Sequence, residues 1–315
     1  MKGSRPRIVV VGSIGRDLVY RVEHLPRAGE TVTGTDMRWF PGGKGANQAV
    51  AAVRLGADVT LVGRVGDDEH GAVIRAALVA AGIDDSALQT TSRCTSQVAI
   101  IAVDRQGQNT IAVVPGASAR LSPADVGRFE TVIAAADAVL VQLEVPVETS
   151  IAAIAAARRH GVVSIVDPAP VPSTPVPREL WNADIVNPNQ TEAEAITGVA
   201  VPGPASAPVA TDALRRLGAR AVVLKLGEHG AYLCDGDREG VQVPSWPVAA
   251  IDVTAAGDAF TAALAIAWVE GRSPTDAVRF AAAAGALATT RLGAQPALPH
   301  RAEVDALVGP YLRRP

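Results

Sequence analysis

Short β-branched runs that end in small or acidic residues, each followed by a helical pattern, constrain this chain more than any other feature. Arg7-Ile-Val-Val-Val-Gly-Ser13 is the first. Asp58–Gly63, Asp137–Leu143, Val162–Val166, Asp184–Asn189 and Ala221–Gly227 repeat the pattern. Runs that are apolar throughout suit strands covered on both faces, which is the parallel-sheet arrangement. Helical patterns lie between them, over about His70–Ala81, from Ser122-Pro123 onward, over Val147–Arg159, and from Thr191 to a stop at Gly198. The expected fold is therefore α/β, a doubly wound, mainly parallel sheet flanked by helices. Ligands of such sheets bind beyond the C-terminal strand ends. Asp17, close behind the first strand, is a site candidate for that reason.

Two pairs of segments break the alternation. Leu18–Glu23 and Thr31–Phe40 read as strands joined by the turn-rich Leu25-Pro-Arg-Ala-Gly29, and Gln97–Val103 and Asn109–Val114 form a hairpin around Asp104-Arg-Gln-Gly107. They predict a small separate sheet from about 15–40 and 97–114, within one domain spanning 1–315. Val201–Ala210, rich in Pro and Ala, reads as a surface loop. The apolar fraction of 48% is enough for a large core, and no run is long and charge-free enough for a membrane helix. The N-terminus reads as a first strand rather than a signal peptide, and Cys94 and Cys234 lack metal or redox spacing, so a cytoplasmic location is expected. A net charge of −3 gives no support for nucleic-acid binding.

Two stretches carry the chemistry. Ala255-Ala256-Gly257 is a small-residue turn that delivers Asp258 onto the first turn of an almost wholly apolar helix, which Gly271 stops. Small residues let backbone approach a ligand, and free N–H groups at a helix start attract anions. By itself Asp258 could equally be a helix cap. Pro41-Gly-Gly-Lys-Gly-Ala-Asn-Gln-Ala-Val50 opens a second helix. It is not a Walker A loop, because Gly45 follows Lys44 and Arg38 stands where the upstream glycine belongs.

Together, GGKGANQAVAAVRLGA and DVTAAGDAF resemble the two signature regions of the ribokinase-like (PfkB-type) sugar kinases, and the resemblance continues through VQLEVP, NPNQTEAEAITG and TRLGAQPALP. It implies ATP-dependent phosphorylation of the primary 5-hydroxyl of a pentose, with ribose the leading sugar. Asp17, Gly43, Lys44, Asn47 and Glu144 would hold the sugar. Asp258 would act as base beside an anion hole of Ala255, Ala256 and Gly257. Asn189, Lys225, Gly227 and Gly230, with Gly257, would meet the nucleotide. Glu192 would reach magnesium through water, although a first-turn carboxylate favoured by the helix dipole explains it equally well. Potassium would lie among Asp252, Thr254, Ala288, Arg291, Gly293 and Ala297. The small sheet would be a lid and the surface of a homodimer.

Two departures from the family pattern stand out. Ala297 replaces a usual serine, removing a hydroxyl ligand. Gly12-Ser-Ile-Gly-Arg-Asp17 replaces the usual GSINAD, so Gly15 stands where an asparagine amide would contact the sugar. That substitution keeps 2-deoxyribose, another sugar or a nucleoside open as substrates. It also leads to the expectation that Gly15→Asn sharpens the preference for ribose. A catalytically silent sugar-binding regulator is the remaining alternative, against which Asp258, Lys44 and the AAGD turn argue.

Overall fold

Repeated burial of alternate strand residues on opposite faces is what builds the main sheet. In the computed structural model, which describes residues 5–236 and 238–312, the first half of the chain gives β1 (Arg7–Val11), β2 (Gly15–Val22), β3 (Gly34–Gly42), α1 (Lys44–Arg54), β4 (Asp58–Gly66), α2 (Glu69–Ala80), β5 (Leu88–Thr91), β6 (Gln97–Val103), β7 (Asn109–Val114), α3 (Pro123–Arg128) and α4 (Glu130–Ala134). The second half gives β8 (Ala138–Val141), α5 (Val147–Arg159), β9 (Val163–Val166), β10 (Ile185–Val186), α6 (Gln190–Thr197), α7 (Ala207–Leu217), β11 (Ala221–Lys225), β12 (Ala231–Asp235), β13 (Val241–Val243), α8 (Ala256–Val269), α9 (Pro274–Ala288) and α10 (Arg301–Leu312).

Nine strands form the large sheet in the order β13-β12-β11-β10-β9-β8-β1-β4-β5. It is parallel from β11 to β5, and the β12–β13 hairpin adds an antiparallel edge. Ile8 and Val10 face one core with α1, α8 and α9, while Val9 and Val11 face another with α5 and α7. The chain leaves β1 toward β4 and later returns to β8 on its other side, which opens a crevice at the strand ends.

Helix α8 is buried along ten consecutive residues, Asp258–Ala267, and α1 and α9 cover it. The start of α1 lies hard against the end of β1. A Cβ at Gly45 would come within 2.7 Å of the Gly12 carbonyl carbon and the Ser13 oxygen. Gly43, just before the helix, has φ +88°, a conformation natural to glycine. Backbone contact at 45 and the positive φ at 43 explain why these two positions are glycine.

The separate sheet is present as expected, in the order β3-β2-β6-β7. Its strands begin and end within a few residues of the predicted segments, β2 starting at Gly15 rather than Leu18. The helix predicted at Ser122 is there too, with Ser122 and Asp125 forming a reciprocal capping box. One expectation is corrected. Val201–Ala210 is not simply a surface loop: a 3₁₀ turn at Pro204–Ser206 leads into α7 at Ala207, and Ala207 and Ala210 are fully buried. Proline there sits in the first helical turn, where its missing N–H costs nothing. Among the described residues no helix is long and apolar enough to cross a membrane.

Candidate active site

The crevice holds a cavity of about 670 Å³. Lys44, Asn189, Glu192, Lys225, Gly227 and Gly230 line it, as do Ala255, Ala256, Gly257 and Asp258. Residues from four separate stretches of the sequence thus meet in one place. At one end the wall becomes apolar, with Trp246, Val248, Phe260 and Ala282.

Asp258 sits at the head of this cavity, only 3% exposed. It is not a helix cap: the position before α8 belongs to Ala255, held in a left-handed turn at φ 59°, with no side-chain cap. Its carboxylate accepts from Asn47 Nδ2 at 3.0 Å and from Gln48 Nε2 at 3.2 Å. Burial pushes Asp258 up to about 6, partly offset by the Lys44 ammonium and the two amides. Burial disfavours the Lys44 charge too, but Asp258, Asp167, Glu144 and Glu192 outweigh it and raise its pKa above the ordinary lysine value. Within the turn the Ala256 N–H donates to the Val253 carbonyl at 3.2 Å, while the first N–H groups of α8 have no acceptor within the helix.

A polar relay behind these residues could not be read from the sequence. Gln48 Nε2 also donates to Asp167 Oδ2 at 3.0 Å, its Oε1 accepts from Gln142 at 2.6 Å, and Lys225 Nζ holds Asp167 Oδ1 at 2.7 Å. Asp167 follows β9 directly, so the strand-end rule that picks out Asp17 would have found it. The two glutamines carried no such signal.

The sugar-side residues gather beyond Lys44. The Lys44 N–H and Ser13 Oγ both donate to Glu144 Oε2, at 3.0 and 2.5 Å. Asp17, on β2, is pushed up to about 6 by burial and by the Glu144 and Asp258 charges. The slot expected at Gly15 is not vacant: a Cβ there would meet the Gln97 carbonyl oxygen at 2.7 Å and Gln97 Cγ at 2.9 Å. Gly15→Asn is therefore not a simple restoration, because backbone would have to move.

Asn189 and Glu192 form a capping box at α6. Both Glu192 oxygens accept from Asn189, its N–H and its Nδ2, each at 2.7 Å, and burial raises the Glu192 pKa. The predicted potassium loops lie against each other. Asp252 Oδ1 accepts from the Thr254 N–H at 2.9 Å and Oδ2 from the Gly293 N–H at 2.8 Å. Arg291 turns its side chain to Glu303, and Ala297 is buried.

A doubly wound sheet with a separate small sheet, and a buried carboxylate at a helix start lining a large cavity, make an arrangement suited to phosphoryl transfer without a Walker loop. Comparison with known proteins agrees. Residues 5–301 match the pfkB family of carbohydrate kinases. The chain is 37% identical over 300 residues to a ribokinase of Haemophilus influenzae, covering 95% of this chain and 97% of that one. It is 38% identical over 302 residues to a ribokinase of Bacillus subtilis, covering 96% and 99%. The structure of Arabidopsis thaliana ribokinase complexed with ribose and ATP is similar at a TM-score of 0.91 and 35% identity, covering 97% of this chain and 99% of that one. The chain belongs to the pfkB carbohydrate kinase family, and is an ATP-dependent sugar kinase of that family.

The raised Asp17 pKa has a stability consequence. A carboxyl whose folded pKa lies above its unfolded value of 3.8 contributes stability below that value and loses it as pH rises through about 6. Asp17→Asn should therefore raise the melting temperature of the ligand-free protein at neutral pH, with the gain vanishing toward about pH 4. Calorimetric melting curves of both proteins across that range test it.

Proposed function

We propose that this protein is a ribokinase, transferring the γ-phosphoryl group of ATP to the primary 5-hydroxyl of D-ribose. The observation that carries the reading is Asp258, a buried carboxylate on the first turn of α8, between the nucleotide-sized cavity and the sugar-side cluster of Asp17, Asn47 and Glu144. Phosphoryl transfer asks mainly for positioning and charge stabilisation. Asp17, Asn47 and Glu144 bind sugar hydroxyls, with the Gly43 and Lys44 backbone beside them. Asp258 receives the proton of the 5-hydroxyl as that oxygen attacks. A pKa of about 6 suits the role, since the group is ionised at neutral pH yet basic enough to take a proton. The Gly257 and Asp258 N–H groups face the charge that develops on the transferring phosphoryl. Lys44 and Lys225 supply positive charge along the phosphates, and the Gly227–Gly230 turn shapes the nucleotide wall. The small sheet closes over the sugar and excludes water.

The donor sets suit the cations implied. Magnesium keeps several of its waters. Glu192, whose two oxygens are already held by Asn189, fits an outer role through such water rather than direct ligation. Bound magnesium would neutralise phosphate charge. For potassium, Asp252 ties Thr254 to Gly293 and so holds the two loops together; the carbonyls of Thr254, Ala288, Arg291, Gly293 and Ala297 would supply an all-oxygen set. The ion would steady the anion-binding turn electrostatically. The protein acts in the cytoplasm, as one catalytic domain, and as a homodimer through the lid sheets. By strand register Val19, Ile101, Ile111 and Val113 share the Asp17 face of the lid, and Ile111 and Val113 are 53% and 51% exposed. Such a face on a small sheet calls for a cover.

Asp258→Asn should keep ribose binding but lower kcat on the order of 10²–10⁴-fold, read by coupled ADP release; near-normal turnover would overturn the base. The wild-type kcat/KM should fall with decreasing pH through about 6, following Asp258. Replacing potassium by tetramethylammonium at constant ionic strength should lower kcat, and equal rates would remove the cation assignment. Light scattering at micromolar concentration should give the mass of a dimer, and a monomer mass would contradict the lid interface.

A further inference from the structure

Gly15 removes an amide from the sugar side of β2, and the adjoining strand returns one. In the parallel pairing of β2 with β6, Gly15 lies opposite Gln97 and Asp17 opposite Ala99. Gln97 therefore projects on the same face of the lid as Asp17. Its side chain occupies the volume above Gly15, with Cγ 2.9 Å and Cβ 3.0 Å from where a Cβ at 15 would be. Gly43 lies on the far side of Gly15: a Cβ at Gly43 would come within 3.0 Å of the Gly15 nitrogen. From there the Gln97 amide reaches Glu144, the carboxylate on the opposite wall, with Nε2 3.4 Å from Oε2.

This amide is poorly satisfied. Gln97 is only 4% exposed, its contact with Glu144 is at the long limit of a hydrogen bond, and Oε1 has no partner among the described residues. A buried amide oxygen without a donor is uncommon in a folded protein and calls for an explanation. A half-turn of the terminal amide exchanges its donor and acceptor, so either end can meet a hydroxyl placed between Gln97 and Glu144.

Resting on the ribokinase reading, we propose that Gln97 is a specificity-determining residue: its amide takes the place of the side chain missing at position 15 and, with Glu144, binds one secondary hydroxyl of the pentose. The glycine and the glutamine are two halves of one arrangement. A side chain at 15 and the glutamine at 97 compete for the same space, so the amide is supplied from β6 instead of β2. The hydroxyl recognised lies at the lid end of the site, away from the oxygen that Asp258 activates.

The test compares the full-length wild type with Gln97→Met and Gln97→Glu. Methionine fills the volume without an amide, and glutamate keeps the shape but loses the donor. Each protein is assayed with ribose and with its 1-, 2- and 3-deoxy analogues, and melting temperatures are recorded. The expected result is a fall in kcat/KM for ribose on the order of 10-fold in Gln97→Met, about one neutral hydrogen bond, carried by KM. For one deoxy analogue the variant and wild type should differ little, because the partner hydroxyl is already gone. Equal losses for ribose and all three analogues would assign Gln97 a packing role and overturn the proposal, as would no loss at all. If Gln97→Met proves unstable, Gln97→Glu is read by the same comparison. Failure of the wild type to phosphorylate ribose would instead overturn the ribokinase reading and this pentose assignment with it.

Discussion

A carboxylate buried at the start of a helix is expensive, and much of this protein's polar interior exists to hold it. Asp258 is removed from water by α1 and α8, and Asn47 and Gln48, consecutive residues of α1, meet its two oxygens. Lys44, one turn earlier, supplies a compensating charge, and the four carboxylates around it outweigh the cost of its burial. Removing a single member would leave a buried partner unpaired, which costs more than the pair contributes. The balance leaves Asp258 at about 6, neither neutralised by burial nor fully stabilised as an anion.

The relay through Gln48, Gln142, Asp167 and Lys225 extends this constraint across the sheet. Gln48 touches Asp258 and Asp167 together, so one amide bridges Asp258 and the carboxylate that pairs with Lys225. The residues come from α1, the β8 and β9 strand ends and β11. These are neighbours only because a parallel sheet gathers its C-terminal ends along one edge. The two ends of the cavity therefore share one hydrogen-bonded floor. The small sheet differs: β7 is exposed along its whole length and β3 nearly so.

Much of this was legible beforehand because it rests on local rules. β6, β7 and α5 have the bounds expected from pattern alone. Asp258 was singled out because a turn of small residues led into an apolar helix, and Asp17 because it closely follows a strand. Where local rules mislead, the reason is tertiary. Prolines and alanines at 201–210 read as loop, yet Ala207 and Ala210 face a core that the pattern could not reveal. β5 (Leu88–Thr91) and β13 (Val241–Val243) are part polar and lack the continuous apolar run that marks the inner strands.

The sequence by itself determined the alternation of elements, the family, and the charged residues that stand next to strand ends and helix starts. These depend on spacing along the chain, which a reader of residues can measure. Only the tertiary structure decided what the uncharged polar groups do. Gln48, Gln97 and Gln142 look like ordinary surface glutamines in sequence, and all three are buried. An amide has no charge to mark it and no preferred position in an element, so its partner is set by which strands lie side by side. The glycine at 15 illustrates the point most clearly. In the sequence it is a missing contact; in the structure it is the space that the backbone carbonyl and side-chain stem of Gln97, on the neighbouring strand, occupy.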